Sequence, residues 1–249
     1  MQRITTAALI ALLAAAGPVA GAQRETETFD RTVPFVPNGT LKLRNFSGDV
    51  KVTGYPGTDV VIHAVRRATR ERLDNIRLDV QASGSTIEIE ANRRNPEWRE
   101  KNDNVVETDF EVQVPSGTEL DIHAFSSPIE TAGVAARQKL YAFSGRLTVR
   151  NSSGGPLEVQ TFSGTIDLDL SAAAEVPSLD VETFSGDVQV RMPQVGGGRV
   201  EFRGFSGDFN SDFPLTLRSG SRRSLDAEFG AGNATIRFKT FSGDVRLLK

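Results

Sequence analysis

The chain has 249 residues, 15 of them phenylalanine and 23 glycine, with 2 histidines and no cysteine. Without cysteine it can form no disulfide and no thiol nucleophile, and two histidines with no His-x-x-x-His pair leave little basis for a common zinc site. A formal net charge of −3 gives no electrostatic reason to expect nucleic acid as a partner.

Met1, Gln2 and Arg3 make a short positive start, Ile4 to Ala16 is almost wholly apolar, and Ala20-Gly21-Ala22 supplies small residues suited to a signal peptidase. Residues 1–22 therefore read as a signal peptide cleaved after Ala22. A membrane anchor is the weaker alternative, because Gly17-Pro18 interrupts the run before the roughly 20 residues that span a bilayer. No cysteine follows for lipid modification, and no second apolar segment reaches transmembrane length. Residues 23–249 (249 − 22 = 227 residues) read as one domain, irregular at 23–115 and regularly repeating at 116–249.

In the irregular part, Thr28 to Val33 and Leu41 to Val52 are predicted strands, the latter broken by a turn at Phe46. Asp59 to Val65 is a further strand. Arg66 to Asn75 has the charge density of a short helix or solvated excursion. Ile76 to Val80 and Thr86 to Ile89 predict a hairpin across Ala82-Ser83-Gly84-Ser85. Asn92 to Asn104 reads as a loop, and Val105 to Val114 resumes β character. This region is expected to cap one end of the repeats, where unpaired strand edges would otherwise be exposed.

Phe-Ser-Gly recurs at Phe46, Phe143, Phe162, Phe184, Phe205 and Phe241, with Phe125-Ser126-Ser127 as a degenerate copy. From Phe125 the separations are 18, 19, 22, 21 and 36 residues, the last equal to two periods of 18. Phe229-Gly230 inside that gap is expected to be an altered turn. Leu157, Val159 and Thr161 precede Phe162, and Ile166, Leu168 and Leu170 follow it. Spacing of two puts each trio on one strand face, with Ser-Gly as the tight turn between. Asn151-Ser152-Ser153-Gly154-Gly155 reads as the opposite corner. The predicted fold is all-β, a repeat β-solenoid of the β-helix kind with an irregular N-terminal β region. Successive copies should lie on successive coils, about six from Phe125 to Phe241. A sandwich of short antiparallel strands is the alternative.

The segments Leu41-Lys-Leu-Arg-Asn-Phe-Ser-Gly-Asp-Val-Lys-Val52 and Leu179-Asp-Val-Glu-Thr-Phe-Ser-Gly-Asp-Val-Gln-Val190 resemble the bacterial putative adhesin family, a Ser-Gly-Asp repeat domain of unknown function. The resemblance covers about Thr28 to Leu248. It implies a β-solenoid, exported or membrane-attached, with no established catalytic residues to carry across. The chain departs from that pattern by placing Phe before nearly every Ser-Gly and by lacking the aspartate at Arg146 and Thr165.

The phenylalanines are expected to stack inside the coil, since seven exposed rings would form a large apolar patch; the alternative is an exposed stripe contacting protein, glycan or lipid. Asp49, Asp187, Asp208 and Asp244 occupy equivalent positions and are expected to serve turn hydrogen bonds rather than calcium, as the Gly-Gly-x-Gly-x-Asp nonapeptide is missing. His63 and His123 are the only histidines, and His123 is expected to be a surface strand residue rather than a general base. No catalytic, metal or cofactor-binding residue is assigned, and no phosphate-binding glycine motif is present. The functional expectation is an exported, non-enzymatic adhesion or binding module of the cell envelope or extracellular space, with a protein or glycan partner. A periplasmic structural or assembly scaffold is the alternative, and a polysaccharide-processing β-helix enzyme a more distant one. Intact-mass measurement of exported protein is expected to find Gln23, or its cyclised form, at the mature terminus; a chain retaining residues 1–22 would show an anchor instead.

Overall fold

The structure, a computed structural model, describes residues 24–98, 104–175, 177–194, 196–221 and 223–249. The expected signal peptide lies outside the described residues. Period-two alternation of apolar and polar side chains, punctuated by Ser-Gly, yields short strands with one buried face. The irregular third comprises β1 (Glu25–Pro34), β2 (Thr40–Ser47), β3 (Val50–Tyr55), β4 (Asp59–Ala68), a short helix α1 (Arg70–Asn75), β5 (Ile76–Ser83), β6 (Thr86–Arg94) and β7 (Glu107–Pro115). Strand pairs follow: β8 (Glu119–Ser126) with β9 (Ile129–Ala132), β10 (Gln138–Ser144) with β11 (Leu147–Arg150), and β12 (Leu157–Ser163) with β13 (Ile166–Asp169). Next come β14 (Leu179–Ser185) with β15 (Val188–Arg191), and β16 (Gly197–Ser206) with β17 (Phe209–Ser211). After β18 (Thr216–Ser221) and β19 (Ser224–Gly230), β20 (Ala234–Ser242) and β21 (Val245–Leu248) end the chain.

Each pair is one rung, sending its first strand to an 11-stranded sheet and its second to a 10-stranded sheet. The Ser-Gly turn joins the two. Rungs stack in parallel and in strict register, for example Leu157↔Leu179, Val159↔Val181 and Thr161↔Thr183. This parallel pairing departs from the antiparallel sandwich. Neither sheet closes on itself, so the fold is an all-β stack of two open sheets. Inward Leu, Val and Ile side chains of both sheets merge into one apolar cluster from Val33 to Leu247. At the corner opposite the Ser-Gly turns, buried Gln138 accepts from the Thr131 hydroxyl at 2.7 Å and donates to Ser152 Oγ at 3.3 Å, satisfying polar groups that the core could not solvate.

The rungs do not follow chain order. The last pair, β20 and β21, lies between β14–β15 and β16–β17. The rung of β2 and β3 lies between β8–β9 and the rung formed by β6 and β7. The expectation of successive copies on successive coils holds from Phe125 to Phe184 and fails at the C-terminal end: any Phe-Ser-Gly rung offers the same edge to any other, so chain order does not dictate stacking order. The expected altered turn at Phe229 is corrected as well. It ends β19, which runs antiparallel to β16, and Phe229 is buried. To reach its slot beyond β16, the chain crosses Gly197 and Gly198 at backbone contact. A Cβ on Gly197 would fall 2.1 Å from the Phe229 carbonyl oxygen, and one on Gly198 would fall 2.2 Å from that of Ala234.

Antiparallel strands cover both sheets at the N-terminal end, as expected, with β1 and β4 on β7 and β5 on β6; at the far end β19 and β18 cover β16, while β17 forms the edge of the 10-stranded sheet. Arg66 of β4 ties the N-terminal cover together. Its buried guanidinium pairs with Glu27 of β1 at 2.7 Å and also donates to the Ile76 carbonyl at the start of β5.

The Ser-Gly turns stack as closely as the strands. Gly164 has φ +151°, and a Cβ there would lie 1.9 Å from the Gly145 carbonyl oxygen one rung away; Gly186 stands in the same relation to Gly164 at 2.0 Å. Turn amides donate along the stack, Gly145 N to Ser163 O at 3.1 Å and Gly164 N to Ser185 O at 3.0 Å. Gly164→Ala is thus expected to cost at least about 3 kcal/mol, combining backbone strain with a clash that no flexible side chain can relieve. The control Gly84→Ala, at φ +57° with nothing within 4 Å, should cost about 1 kcal/mol. Equal losses in chemical denaturation would remove the stacking constraint.

Candidate functional site

On the 11-stranded sheet, Leu157, Val159 and Thr161 point inward, which turns Glu158, Gln160 and Phe162 outward. The same phase holds in β10 and β14. The seven turn phenylalanines therefore lie outside, each 41–54 % exposed, and the expectation of a buried ladder is corrected. The inward position beside the turn is instead held by Asn45, Ala124, Ala142, Thr161, Thr183, Thr240 and Gly204. These are small side chains, because the two sheets converge at a tight turn and leave no room for a ring.

The rings stack in spatial order Phe46, Phe125, Phe143, Phe162, Phe184, Phe241, Phe205, with centroids 4.7–4.9 Å apart. From Phe125 to Phe205 the planes are within 3° of parallel. Six steps of strand spacing make a ladder roughly 29 Å long. Each inner ring has both faces covered, so it shows solvent its edge. At the Phe205 end, the Arg223 guanidinium lies 4.4 Å from the ring centroid and covers the terminal face in a cation–π contact.

Two residues before each Phe, a second outward column runs Arg44, His123, Tyr141, Gln160, Glu182, Lys239, Arg203 in the same spatial order. Between the columns lies an open groove of about 880 Å³, with ring edges on one wall and the second column on the other. His123 stacks on Tyr141 at 4.6 Å and its Nε2 is 2.9 Å from Asp121. The Tyr141 hydroxyl donates to Glu158 at 2.5 Å; burial and that carboxylate push the phenol above its ordinary pKa. Lys239 pairs with Glu182, whose hydrogen bond holds the ammonium charged to higher pH than usual. Arg44 and Arg203, at the two ends, are exposed and hold no ion-pair partner among the described residues. The sequence carried a signal for this column, since period two places residue i−2 of every Phe on its own face.

The aspartates are divided by Pro128, Arg146 and Thr165, which hold the equivalent turn position in the rungs between Asp49 and Asp187. Asp187 accepts from the Asp244 amide at 3.0 Å, and Asp244 from the Asp208 amide at 2.9 Å. Asp49 donates its own amide to Asp109 at 2.9 Å. The hydrogen bonds run between rungs rather than within one turn. Among the described residues no three His, Asp or Glu side chains converge to hold a metal. His63 is exposed on β4, with Nδ1 2.6 Å from Asp30, far along the chain from the His123 column. Among the described residues, His63 and His123 are hydrogen-bonded to Asp30 and Asp121.

A sequence profile of the family described as Toastrack DUF4097 matches residues 29–248. No curated protein is significantly similar in sequence. Among solved structures, a candidate cell adhesion protein from Clostridium sporogenes is 12 % identical with a TM-score of 0.51, the match covering 89 % of this chain and 99 % of that one. A candidate adhesin from Bacteroides fragilis is 10 % identical with a TM-score of 0.36, covering 89 % and 97 %.

Half-burial of one ring contributes about 1 kcal/mol, and its two stacked contacts together add about 1 more. Phe162→Ala is accordingly expected to cost about 2 kcal/mol and Phe162→Leu about 1 kcal/mol, below the roughly 3–5 kcal/mol of a core phenylalanine. Equilibrium denaturation reads the difference. A loss within about 0.5 kcal/mol, the scale of an ordinary surface change, would deny the stacked contacts any role in stability.

Proposed function

The chain belongs to the Toastrack DUF4097 family, and from that premise we propose that it is an exported, non-enzymatic binding module whose working surface is the outer face of the 11-stranded sheet. The observation that carries this reading is the ladder of seven half-exposed phenylalanines beside an open groove. A continuous apolar stripe of this length is an aggregation hazard unless a partner covers it, and such patches mark interaction sites. The rung topology supports reading the body as a flattened two-sheet β-solenoid. The continuous apolar cluster from Val33 to Leu247, beside a small second one under the helix, supports one domain over residues 23–249. The apolar N-terminal stretch, followed by small residues, supports residues 1–22 as a signal peptide and the periplasm or cell surface as the destination. No helix among the described residues is long and apolar enough to cross a membrane. The adhesive role given to the Clostridium protein agrees with an envelope or extracellular partner.

A second reading, a rigid periplasmic scaffold, draws on the six stacking contacts, which stiffen the rungs whether or not anything binds. Crosslinking in the native envelope separates the two. The double variant Phe143→Ala/Phe184→Ala, checked for folding by circular dichroism, is expected to lose most crosslinked partners while remaining exported. An unchanged partner set, with lowered stability alone, would favour the scaffold.

A further inference from the structure

We propose that the groove beside the phenylalanine ladder holds the extended aliphatic chain of an anionic amphiphile, with its acidic head group at the Arg44 or Arg203 end. The inference rests on the binding-face reading and specifies its ligand class. Three features of the groove select this chemistry over a peptide or a glycan.

The first is which part of each ring is available. Sugar rings and cations bind aromatic side chains through the π face. Here the faces of the inner rings are spent on neighbouring rings at 4.7–4.9 Å, and Arg223 covers the Phe205 end, which leaves the outer face of Phe46 as the one without a ring neighbour. What remains along the groove is a wall of C–H edges, which offers dispersion and desolvation but no directional recognition.

The second is the shortage of polar partners between the ends. The floor is strand backbone whose amides and carbonyls are used in the parallel ladder. Along the wall, Tyr141 already donates to Glu158, and Lys239 is paired with Glu182, which leaves Gln160 as the one uncommitted polar side chain of the central rungs. A peptide or oligosaccharide lying there would lose hydrogen bonds to water without replacement, at a cost for each group. A methylene chain has none to lose.

The third is charge. Arg44, Lys239 and Arg203 against Glu182 give the groove lining a balance of 3 − 1 = +2 with His123 neutral, on a chain whose net charge is −3. The two unpaired guanidiniums stand at opposite ends of a run of seven rungs, roughly 29 Å apart along the stack at strand spacing. Guanidinium binds carboxylate or phosphate through paired N–H donors. An acidic head at either end, with the chain running between the walls, matches this distribution.

Calorimetric titration of the full mature protein with laurate, below its micelle concentration, tests the proposal. Laurate should bind at one or two per chain, since its extended length is about half the groove, and octanoate about tenfold more weakly, because four fewer methylenes are half-buried. The uncharged dodecyl maltoside should also bind about tenfold more weakly, for want of the charge-assisted contact. The double variant Arg44→Gln/Arg203→Gln, at exposed and unpaired positions, should remove the preference for laurate over dodecyl maltoside while leaving the maltoside affinity unchanged. Phe143→Ala/Phe184→Ala should weaken both. No saturable laurate binding, or binding indifferent to chain length and to both variants, overturns the proposal. Ladder-dependent crosslinking to a protein, or ladder-dependent glycan binding, in a chain that ignores laurate would overturn the ligand class and leave the binding face standing. Loss of both signals would remove the binding face too.

Discussion

The contact on which the architecture depends is glycine stacked on a carbonyl oxygen. At each turn, the backbone of one rung lies so close to the next that a Cβ on Gly164, Gly186, Gly243 or Gly207 would fall 1.9–2.2 Å from the neighbouring oxygen. At these four turns only a residue without a side chain allows the corner to stack at strand spacing, whereas the degenerate copy places Ser127 there and still donates its amide to the Ser144 carbonyl at 3.1 Å. Register follows. With the turns superposed, residues at equal distance from the turn superpose too, so Leu157 meets Leu179 and Phe162 meets Phe184. The ring spacing of 4.7–4.9 Å is therefore imposed by the backbone, and happens to fall within the range where offset aromatic pairs attract.

How far this could be read from sequence depended on whether a feature was local. The strand pairs, the hairpin turn at Gly84 and the corner at Asn151 follow from period and turn chemistry within a few residues, and the structure holds each of them; the helix expected over Arg66–Asn75 is shorter, Arg70–Asn75, because β4 runs on to Ala68. Rung order did not follow, because Phe-Ser-Gly-Asp at Phe184, Phe205 and Phe241 presents nearly the same edge three times. What decides between them lies outside the repeat, in glycines 196–198, 230 and 232, where two chain segments cross at backbone contact. The side taken by the phenylalanines was legible and was missed. Leu157 and Val159 fix the inward phase, Thr161 continues it, and Phe162 must face out. Bulk hydrophobicity argued for burial, but a strand cannot change phase by one residue without a bulge. Spacing also does not show that Asp187 and Asp244 accept amides from the adjacent rung rather than within their own turns.

Stability and binding draw on the same ladder and do not compete for it. An isolated exposed phenylalanine carries rotamer freedom that a partner must freeze on contact. A ring held between two others is already fixed, so an occupant meets a surface whose ordering was completed on folding. The wall across the groove is fixed by similar means: His123 by Tyr141 and Asp121, Tyr141 by Glu158, Lys239 by Glu182. Gln160 and the two terminal arginines are left to move toward what they bind.

The insertion of the last rung determines which cation that is at the far end. In chain order, Glu182 of β14 would lie beside Arg203 of β16, and Lys239 of β20 would stand last. Because β20 enters between them, Glu182 faces Lys239 instead and pairs with it. Arg203 is thereby placed on the outermost rung of the groove, next to the ring that Arg223 covers and without a carboxylate of its own. A guanidinium can offer two parallel donors to a planar acid, where the ammonium of Lys239 would act as a point charge. The crossing at Gly197 and Gly198, at the other end of the strand that carries Arg203, thus sets the chemistry of the groove's end.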